Sequence, residues 1–216
     1  MQKNIGFVST RFAGTDGVTL EASKWAAVFK QCGHRHFWFA GLLDRSPERS
    51  FLVPEAFFQH EQNQWINEQI FGKKRRDSAV TDAIFDLKIL LKKQLIKFIR
   101  DFDIHLLVAE NILTIPMHLP LGIALTEIIA ETQIPTIAHH HDFYWERTRF
   151  AVNAVGDYLR MAFPPKLPGI EHVVINSAAQ EELALRTGIS AIIIPNVLDF
   201  ENPPQINERQ TEAFWQ

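Results

Sequence analysis

Residues 5–33 read IGFVSTRFAGTDGVTLEASKWAAVFKQCG, and this stretch decides the fold. The first five of these residues are apolar enough for a buried β-strand, and Arg11–Val18 is typical of a tight turn. Apolar side chains then recur at helical spacing, and Gly33 is a natural stop for the helix. The recurring residues are Val18, Ala22, Trp25, Phe29 and Cys32. Such a strand–loop–helix unit directs backbone N–H groups at the edge of a sheet, which suits phosphate.

Composition indicates an ordinary globular protein. The chain has 216 residues, of which 46% are hydrophobic and 22% charged, and a net charge of −3 gives no indication of nucleic-acid binding. Its apolar runs fall short of the roughly 20 residues that a spanning helix needs. Because the N-terminus leads directly into a strand, we expect no signal peptide and a cytoplasmic location. The single cysteine, Cys32, is predicted to be a small core residue.

Strands that are apolar throughout alternate with helices along the chain. This order predicts an α/β fold, a Rossmann-like doubly wound and mostly parallel sheet with helices on both faces. One domain accounts for residues 1–200, and residues 201–216 are expected to be a linker or the start of a crossover to a further domain. The predicted strands are residues 5–9, 35–41, 104–109, 134–138, 172–176 and 191–194, and the predicted helices are residues 18–33, 62–71, 78–102, 119–132, 152–163 and 177–188. Ser177 and Gln180 are predicted to form a capping box at the start of the last helix.

The ends of the strands carry the candidate site residues, because ligands of such sheets bind beyond the carboxyl ends. These candidates are the loop 14–17, Glu110 with Asn111, the run 139–142, and Ser177. Gly14 and Gly17 would let a ligand approach the backbone, and Asp16 or Thr15 can cap the following helix. The loop lacks the three-glycine spacing of the dinucleotide fingerprint, and a plain turn is the alternative.

Three consecutive histidines are the strongest local signal. Side chains alternate along an extended strand, so His139 and His141 should share a face while His140 points away. A metal site would need further ligands at defined spacing, and only Asp142 stands nearby, so we predict no metal and favour substrate binding or proton handling. The rings and guanidinium groups of residues 143–150 suit sugar faces and anions, and a lid packed on the core is the alternative.

The helix predicted at residues 78–102 is amphipathic. Its apolar stripe fits a helix that covers the sheet, with its lysines in water. The alternative is weak peripheral contact with a membrane, to which the basic run Lys73–Arg76 could contribute. The stripe consists of Leu87, Leu91, Leu95, Phe98 and Phe102.

Three stretches together resemble the N-terminal domain of a family 4 (group 1) glycosyltransferase with the GT-B fold. They are the loop 14–18, the strand 134–143 ending in His141 and Asp142, and residues 173–177 followed by 194–199. The likeness covers about residues 4 to 200. Leu198 departs from it, since the family has glycine there.

The resemblance implies an enzyme that transfers a sugar, usually with retention, from a nucleotide-sugar to a small-molecule, glycan or lipid acceptor, without a metal cofactor. This domain would supply the acceptor side, and a C-terminal domain absent here would bind most of the donor, so the chain alone is expected to be inactive. The residues implied by the resemblance are His141 and Asp142 for catalysis, Gly14, Thr15, Asp16, Gly17 and Asn196 for the donor, and Ser177 at the edge of the cleft. From this chain's own residues we further predict that His139, Glu110, Trp145, Arg147 and Arg149, with Ser177, contact the acceptor.

Two other classes of protein compete with this interpretation. A nicotinamide-dependent oxidoreductase or epimerase shares the strand–loop–helix opening, but Asp44 stands several residues too late to be its ribose-binding acid. A non-catalytic module that binds a sugar or a protein would use the aromatic and histidine-rich loop.

Overall fold

A computed structural model describes residues 1–197 of the chain. Residues 198–216 lie outside the described part. The predicted domain boundary at residue 200, the linker at 201–216 and the end of the motif at Leu198 and Asp199 therefore stay predictions.

Seven parallel strands form one sheet in the order β3-β2-β1-β4-β5-β6-β7. This confirms the predicted Rossmann-like α/β class. Every neighbouring pair is parallel, so all the carboxyl ends meet at one edge of the sheet. The strands are β1 (Asn4–Val8), β2 (Arg35–Ala40), β3 (Ser50–Leu52), β4 (Leu106–Glu110), β5 (Thr136–His140), β6 (Ile170–Val174) and β7 (Ile192–Ile193).

Helices cover both faces of the sheet. Helix α1 packs on one face through Ala22 and Ala26, which lie against Phe7 and Trp38 of the strands. The larger core on the other face joins the sheet to the helices that follow β3 and β4. The helices are α1 (Gly17–Gln31), α2 (Glu61–Ile70), α3 (Ser78–Asp101), α4 (Leu119–Thr132), α5 (Gly156–Ala162) and α6 (Ser177–Thr187).

The strand order reverses between β1 and β4. From β1 the chain runs outward through α1 to β2, whereas from β4 it runs the other way through α4 to β5. The two loops that leave β1 and β4 therefore diverge and open a crevice between them, which is the usual ligand position in such sheets.

The apolar stripe of α3 is buried against the sheet. Leu87, Leu91, Leu95 and Phe98 are each at most 1% exposed. Two lysines that the sequence placed in water instead reach α4: Lys88 Nζ lies 2.9 Å and Lys92 Nζ 2.8 Å from the carboxylate of Glu127. The stripe is thus part of the core, as the sheet-covering interpretation predicts. Within residues 1–197, no helix combines the length and the apolarity needed to cross a bilayer.

Two sequence predictions about helix ends are wrong. Cys32 is exposed, because α1 stops at Gln31 and the thiol sits at the C-cap beyond the packed face. The predicted capping box of Ser177 and Gln180 does not form. Instead Asn176 caps α6 by accepting a hydrogen bond from the Ala179 amide at 2.8 Å, and Gln180 Nε2 donates to the Ala191 carbonyl.

Several boundaries also differ from the predictions. The short strand β3 was missed, since it has only three residues in a polar segment. Strand β5 extends through His139 and His140, which the sequence placed in a loop, because Glu110 of β4 pairs in register with His139. Helix α5 begins at Gly156 rather than near Val152.

Candidate active site at the carboxyl edge of the sheet

A cleft of about 120 Å³ opens at the point where the strand order reverses. The loop after β1 forms one wall and the loop after β4 the other. The lining residues are Ser9, Thr10, Arg11, Asp16, Val18, Phe58, Glu110, Asn111, Ile112, Ile115 and Met117.

The glycine loop leads from β1 to the N-terminus of α1. Asp16 is the N-cap, as predicted, and accepts hydrogen bonds from the amide and hydroxyl of Thr19 at 3.2 and 2.7 Å. Arg11 Nη2 lies 3.1 Å from the Asp16 carboxylate. A side chain at Gly14 or Gly17 would meet no atom within 4 Å, so open space lies above both glycines. The amides of Gly17 and Val18, the first two residues of α1, have no partner inside the helix and remain available to a ligand.

Glu110, His139 and His141 meet beneath the cleft. Because β4 and β5 are adjacent and side chains alternate, all three point to the face covered by α1. His139 Nδ1 and His141 Nε2 lie 3.0 and 3.4 Å from the same Glu110 oxygen, Oε2. Glu110 and His139 are 0% exposed, whereas the His141 side chain is 11% exposed. His139 also stacks on Trp25 of α1, with ring centres 4.5 Å apart.

The electrostatics of this cluster centre on Glu110. Burial raises the pKa of its carboxyl group, but hydrogen bonds from His139 and His141 outweigh burial and leave the pKa below its usual value. Glu110 is therefore held as a carboxylate. Two buried atoms of the cluster, Glu110 Oε1 and His139 Nε2, have no hydrogen-bond partner within the described part of the chain.

Asn111 is a site residue that the sequence prediction did not assign a role. Its Oδ1 accepts a hydrogen bond from the His141 amide at 3.0 Å, and its Nδ2 donates to Asp142 Oδ1 at 2.8 Å. It adopts a left-handed conformation with φ of 56°, which asparagine tolerates better than most residues. The only sequence signal was its place at the carboxyl end of a strand. Asp142 also pairs with Arg147.

The last described residues of the chain lie beside the cluster of Glu110, His139 and His141. Asn196 Nδ2 lies 3.4 Å from His141 Nδ1, which places one predicted donor residue beside the predicted catalytic histidine. The next residue, Val197, accepts a hydrogen bond at 2.5 Å from Lys24 of α1. The imidazole of His141 thus lies between a buried carboxylate and an exposed amide.

His140 points to the opposite face of the sheet, as predicted. Its Nε2 lies 2.8 Å from Nδ1 of His172, and its Nδ1 lies 3.3 Å from the Thr114 hydroxyl. Burial and the neighbouring His172 hold the pKa of His140 well below its usual value, so this pair is a neutral part of the core.

The remaining predicted acceptor residues separate into three places. Arg149 lines a cavity of about 400 Å³ that adjoins the cleft and shares Phe58 and Met117 with it. Trp145 stacks on Phe143 at 4.5 Å and lines another cavity, together with Arg160 and Lys166. Ser177 is exposed at the first turn of α6, after the carboxyl end of β6.

Fold and site together define a Rossmann-like α/β unit with a ligand cleft at its switch point. No protein-family model matches the chain. The mannosylglucosylglycerate synthase of Petrotoga mobilis is 33% identical over 208 residues, covering 91% of this chain and 45% of that protein. The mannosylglucosylglycerate synthase of Thermotoga maritima is 31% identical over 204 residues, covering 92% and 46% respectively. These homologues are glycosyltransferases, and the chain spans less than half of their length.

Proposed function

We propose that this chain is the acceptor-side half of a glycosyltransferase, which moves a hexose from a nucleotide-sugar to an acceptor and is inactive without its donor-binding half. The observation that carries the proposal is the similarity to two synthases over more than nine-tenths of the chain. The cleft supports it, because the glycine loop and His141 lie at the same edge of the sheet. Following the family resemblance, we expect the anomeric configuration to be retained.

The glycine loop is suited to the donor diphosphate. The N-terminus of the 15-residue helix α1 carries a partial positive charge, and the amides of Gly17 and Val18 have no partner inside the helix. Arg11 adds a full positive charge to the same wall, although Asp16 offsets part of it. Open space above Gly14 and Gly17 lets phosphate oxygens approach the backbone.

His141 is the group that we expect to contact the transferred sugar. It is the exposed member of its cluster, and Glu110 and Asn196 hold its ring from two sides. Asp142 positions the loop through Asn111 and Arg147. Since Glu110 and His139 are fully buried, we propose that they act by positioning His141 rather than by touching the acceptor.

The cavity beside the cleft is the best candidate for the acceptor site. Amide side chains line it, and Arg149 adds a guanidinium group that makes no ion pair with any residue in the described range 1–197. The name of the relatives describes a glycerate derivative, which carries a carboxylate. Arginine binds carboxylates in a bidentate manner, so we propose that Arg149, with Arg147 nearby, holds an acidic sugar acceptor. The amides are those of Gln59, Gln64 and Asn67.

The alternative of a nicotinamide-dependent enzyme is not supported by the contacts of the glycine loop. Asp44, its only candidate for the ribose-binding acid, accepts a hydrogen bond from the Gly14 amide at 2.8 Å and lies 3.6 Å from Arg45. This carboxylate therefore holds the glycine loop in place.

The test is a screen of nucleotide-sugars against the full-length gene product, with sugar acids as acceptors and released nucleoside diphosphate as the readout. His141→Ala should lower kcat/KM by about 100-fold or more without lowering the free energy of unfolding to match. The control is His105→Ala, a half-buried histidine 3.7 Å from Asp103 and outside the cleft, which should keep its activity. Absence of turnover with every donor, or tight binding of a reduced nicotinamide cofactor, would contradict the proposal.

A further inference from the structure

The cluster beneath the cleft has the architecture of a cation site on a sheet. His139 lies on β5 and His141 directly follows the end of that strand, and Glu110 stands opposite His139 on β4. Each residue offers one ligand atom, and the three atoms lie within 4.8 Å of one another. Two adjacent strands and the first loop residue after one of them therefore supply all three ligands.

The separations fit a first-row divalent ion. Ligand atoms at about 2.0–2.2 Å from zinc in a tetrahedral arrangement lie about 3.3–3.6 Å from one another. Glu110 Oε2 lies 3.0 Å from His139 Nδ1 and 3.4 Å from His141 Nε2. Two imidazole nitrogens and one carboxylate are also the donor set of known catalytic zinc sites.

Charge and hydrogen bonding give a second, independent observation. The Glu110 carboxylate is 0% exposed, and no lysine or arginine within residues 1–197 pairs with it. Both histidines approach the same oxygen, so the second oxygen, Oε1, is buried with no partner among the described residues. A buried carboxylate oxygen without a hydrogen-bond partner is destabilising, and a bound cation would engage it.

We propose that Glu110, His139 and His141 form a binding site for a divalent transition-metal ion, with zinc as the best match. The cleft supplies the entry path, because Glu110 forms part of its floor and His141 is partly exposed. Imidazole ligands favour zinc, cobalt and nickel over magnesium. This site departs from the expectation that the enzyme works without metal, and it does not depend on the sugar-transfer reaction.

The test is metal binding by the 216-residue chain itself, stripped with a chelator and titrated with cobalt(II) and zinc(II). We expect one ion per chain, visible as cobalt absorption bands of a four- or five-coordinate site, which zinc displaces and a 100-fold excess of magnesium does not. His141→Gln removes a ligand at the exposed side of the cluster and should weaken binding by at least about tenfold. His105→Gln, which removes a histidine beside another carboxylate, should bind cobalt like the parent chain.

Circular dichroism of each variant without metal separates loss of a ligand from loss of the fold. If His141→Gln does not fold, the cobalt spectrum of the unmodified chain still decides the matter, because imidazole and carboxylate ligation changes the bands of aqueous cobalt. Failure of the unmodified chain to bind cobalt or zinc below about 1 mM would overturn the proposal. Equal affinity in the folded His141→Gln variant would overturn it too.

Discussion

At the residue scale, Glu110 illustrates how position in the fold changes a side chain's role. An isolated carboxylate at the end of a strand is a natural candidate for contact with substrate. Its register opposite His139 turns it under α1, where its side chain is wholly buried and contacts both His139 and His141. Asn111, one residue later, points toward the loop and ties His141 to Asp142.

His118 is a second buried residue whose chemistry depends on the fold. Its Nδ1 accepts a hydrogen bond from the Leu121 amide at the start of α4, and its Nε2 lies 2.8 Å from the Glu55 carbonyl. Both ring nitrogens are thus used by the neutral form. Burial lowers the pKa of His118 to about 4, so a proton would cost the helix its cap.

Acid should therefore destabilise the protein through His118. Its folded-state pKa lies below the value of about 6.5 in the unfolded chain, so the unfolded state gains the proton first and stability falls as pH drops from about 6.5 toward 4. The loss due to this residue should reach up to about 3 kcal/mol. Urea unfolding of the chain and of His118→Asn, which keeps a capping side chain, measures it between pH 7 and 4.5.

In His118→Asn the free energy of unfolding should fall less steeply with decreasing pH over this interval, although it should still fall. His172, whose pKa burial also lowers to about 4, contributes in the same direction. The matched control is His105→Gln, which replaces a half-buried histidine and leaves the cap of α4 intact. An unaltered slope in His118→Asn would refute the assignment to His118.

At the element scale, helix ends decide where the candidate ligand groups point. Asp16 caps α1 and so sets the direction of the amides at Gly17 and Val18 toward the cleft. Asn176 does the same for α6, where Ser177 becomes the first helical residue rather than the cap. A shift of a cap by one residue turns the following side chains by about 100° around the helix.

The cap of α6 gives a prediction at this scale. Asn176→Ala should lower the free energy of unfolding by about 1 kcal/mol, because the Ala179 amide loses its acceptor. Ser177→Ala, a change at the neighbouring exposed position, should have little effect. Chemical denaturation of the two variants under the same conditions compares them. The reverse order of the two losses would show that Ser177 is the cap after all.

At the scale of the whole molecule, the switch point brings distant segments to one cleft. Residues within 9–18, at Phe58 and within 110–117 line it, although they come from three separate parts of the chain. The parallel arrangement alone accounts for this, since each strand that ends at this edge releases its loop on the same side. The described unit supplies one wall of the crevice that a two-domain transferase would need.

Activity should accordingly depend on a second unit. The chain corresponds to 45% of the Petrotoga mobilis synthase, which leaves more than half of that protein unmatched. We expect no nucleoside diphosphate release above background from the 216-residue chain alone. We expect measurable release when the chain is fused to the unmatched part of that synthase. The same fusion carrying His141→Ala is the control, and turnover by the chain alone would refute the dependence.

The sequence predicted the architecture well because burial on both faces leaves a clear pattern. Strands such as residues 5–8 are almost wholly apolar, and the stripe of α3 recurs at helical spacing, so both were placed within about two residues. The three-residue β3 and the start of α5 were not, because such short segments bury too little apolar surface to leave a pattern. The prediction that Cys32 lies in the core was wrong for a related reason, because the apolar periodicity of the sequence continues past Gln31, where the helix ends.

By itself the sequence determined the α/β class, the glycine loop before α1 and the shared face of His139 and His141, because these depend on hydrophobic periodicity and on neighbours along the chain. Only the tertiary structure decided that Glu110 lies between those histidines, that Asn111 orients the loop of His141 and that Asn196 returns to the same ring. These contacts join residues about 30 to 55 positions apart. Strand order and register bring them together, and no local pattern encodes either one.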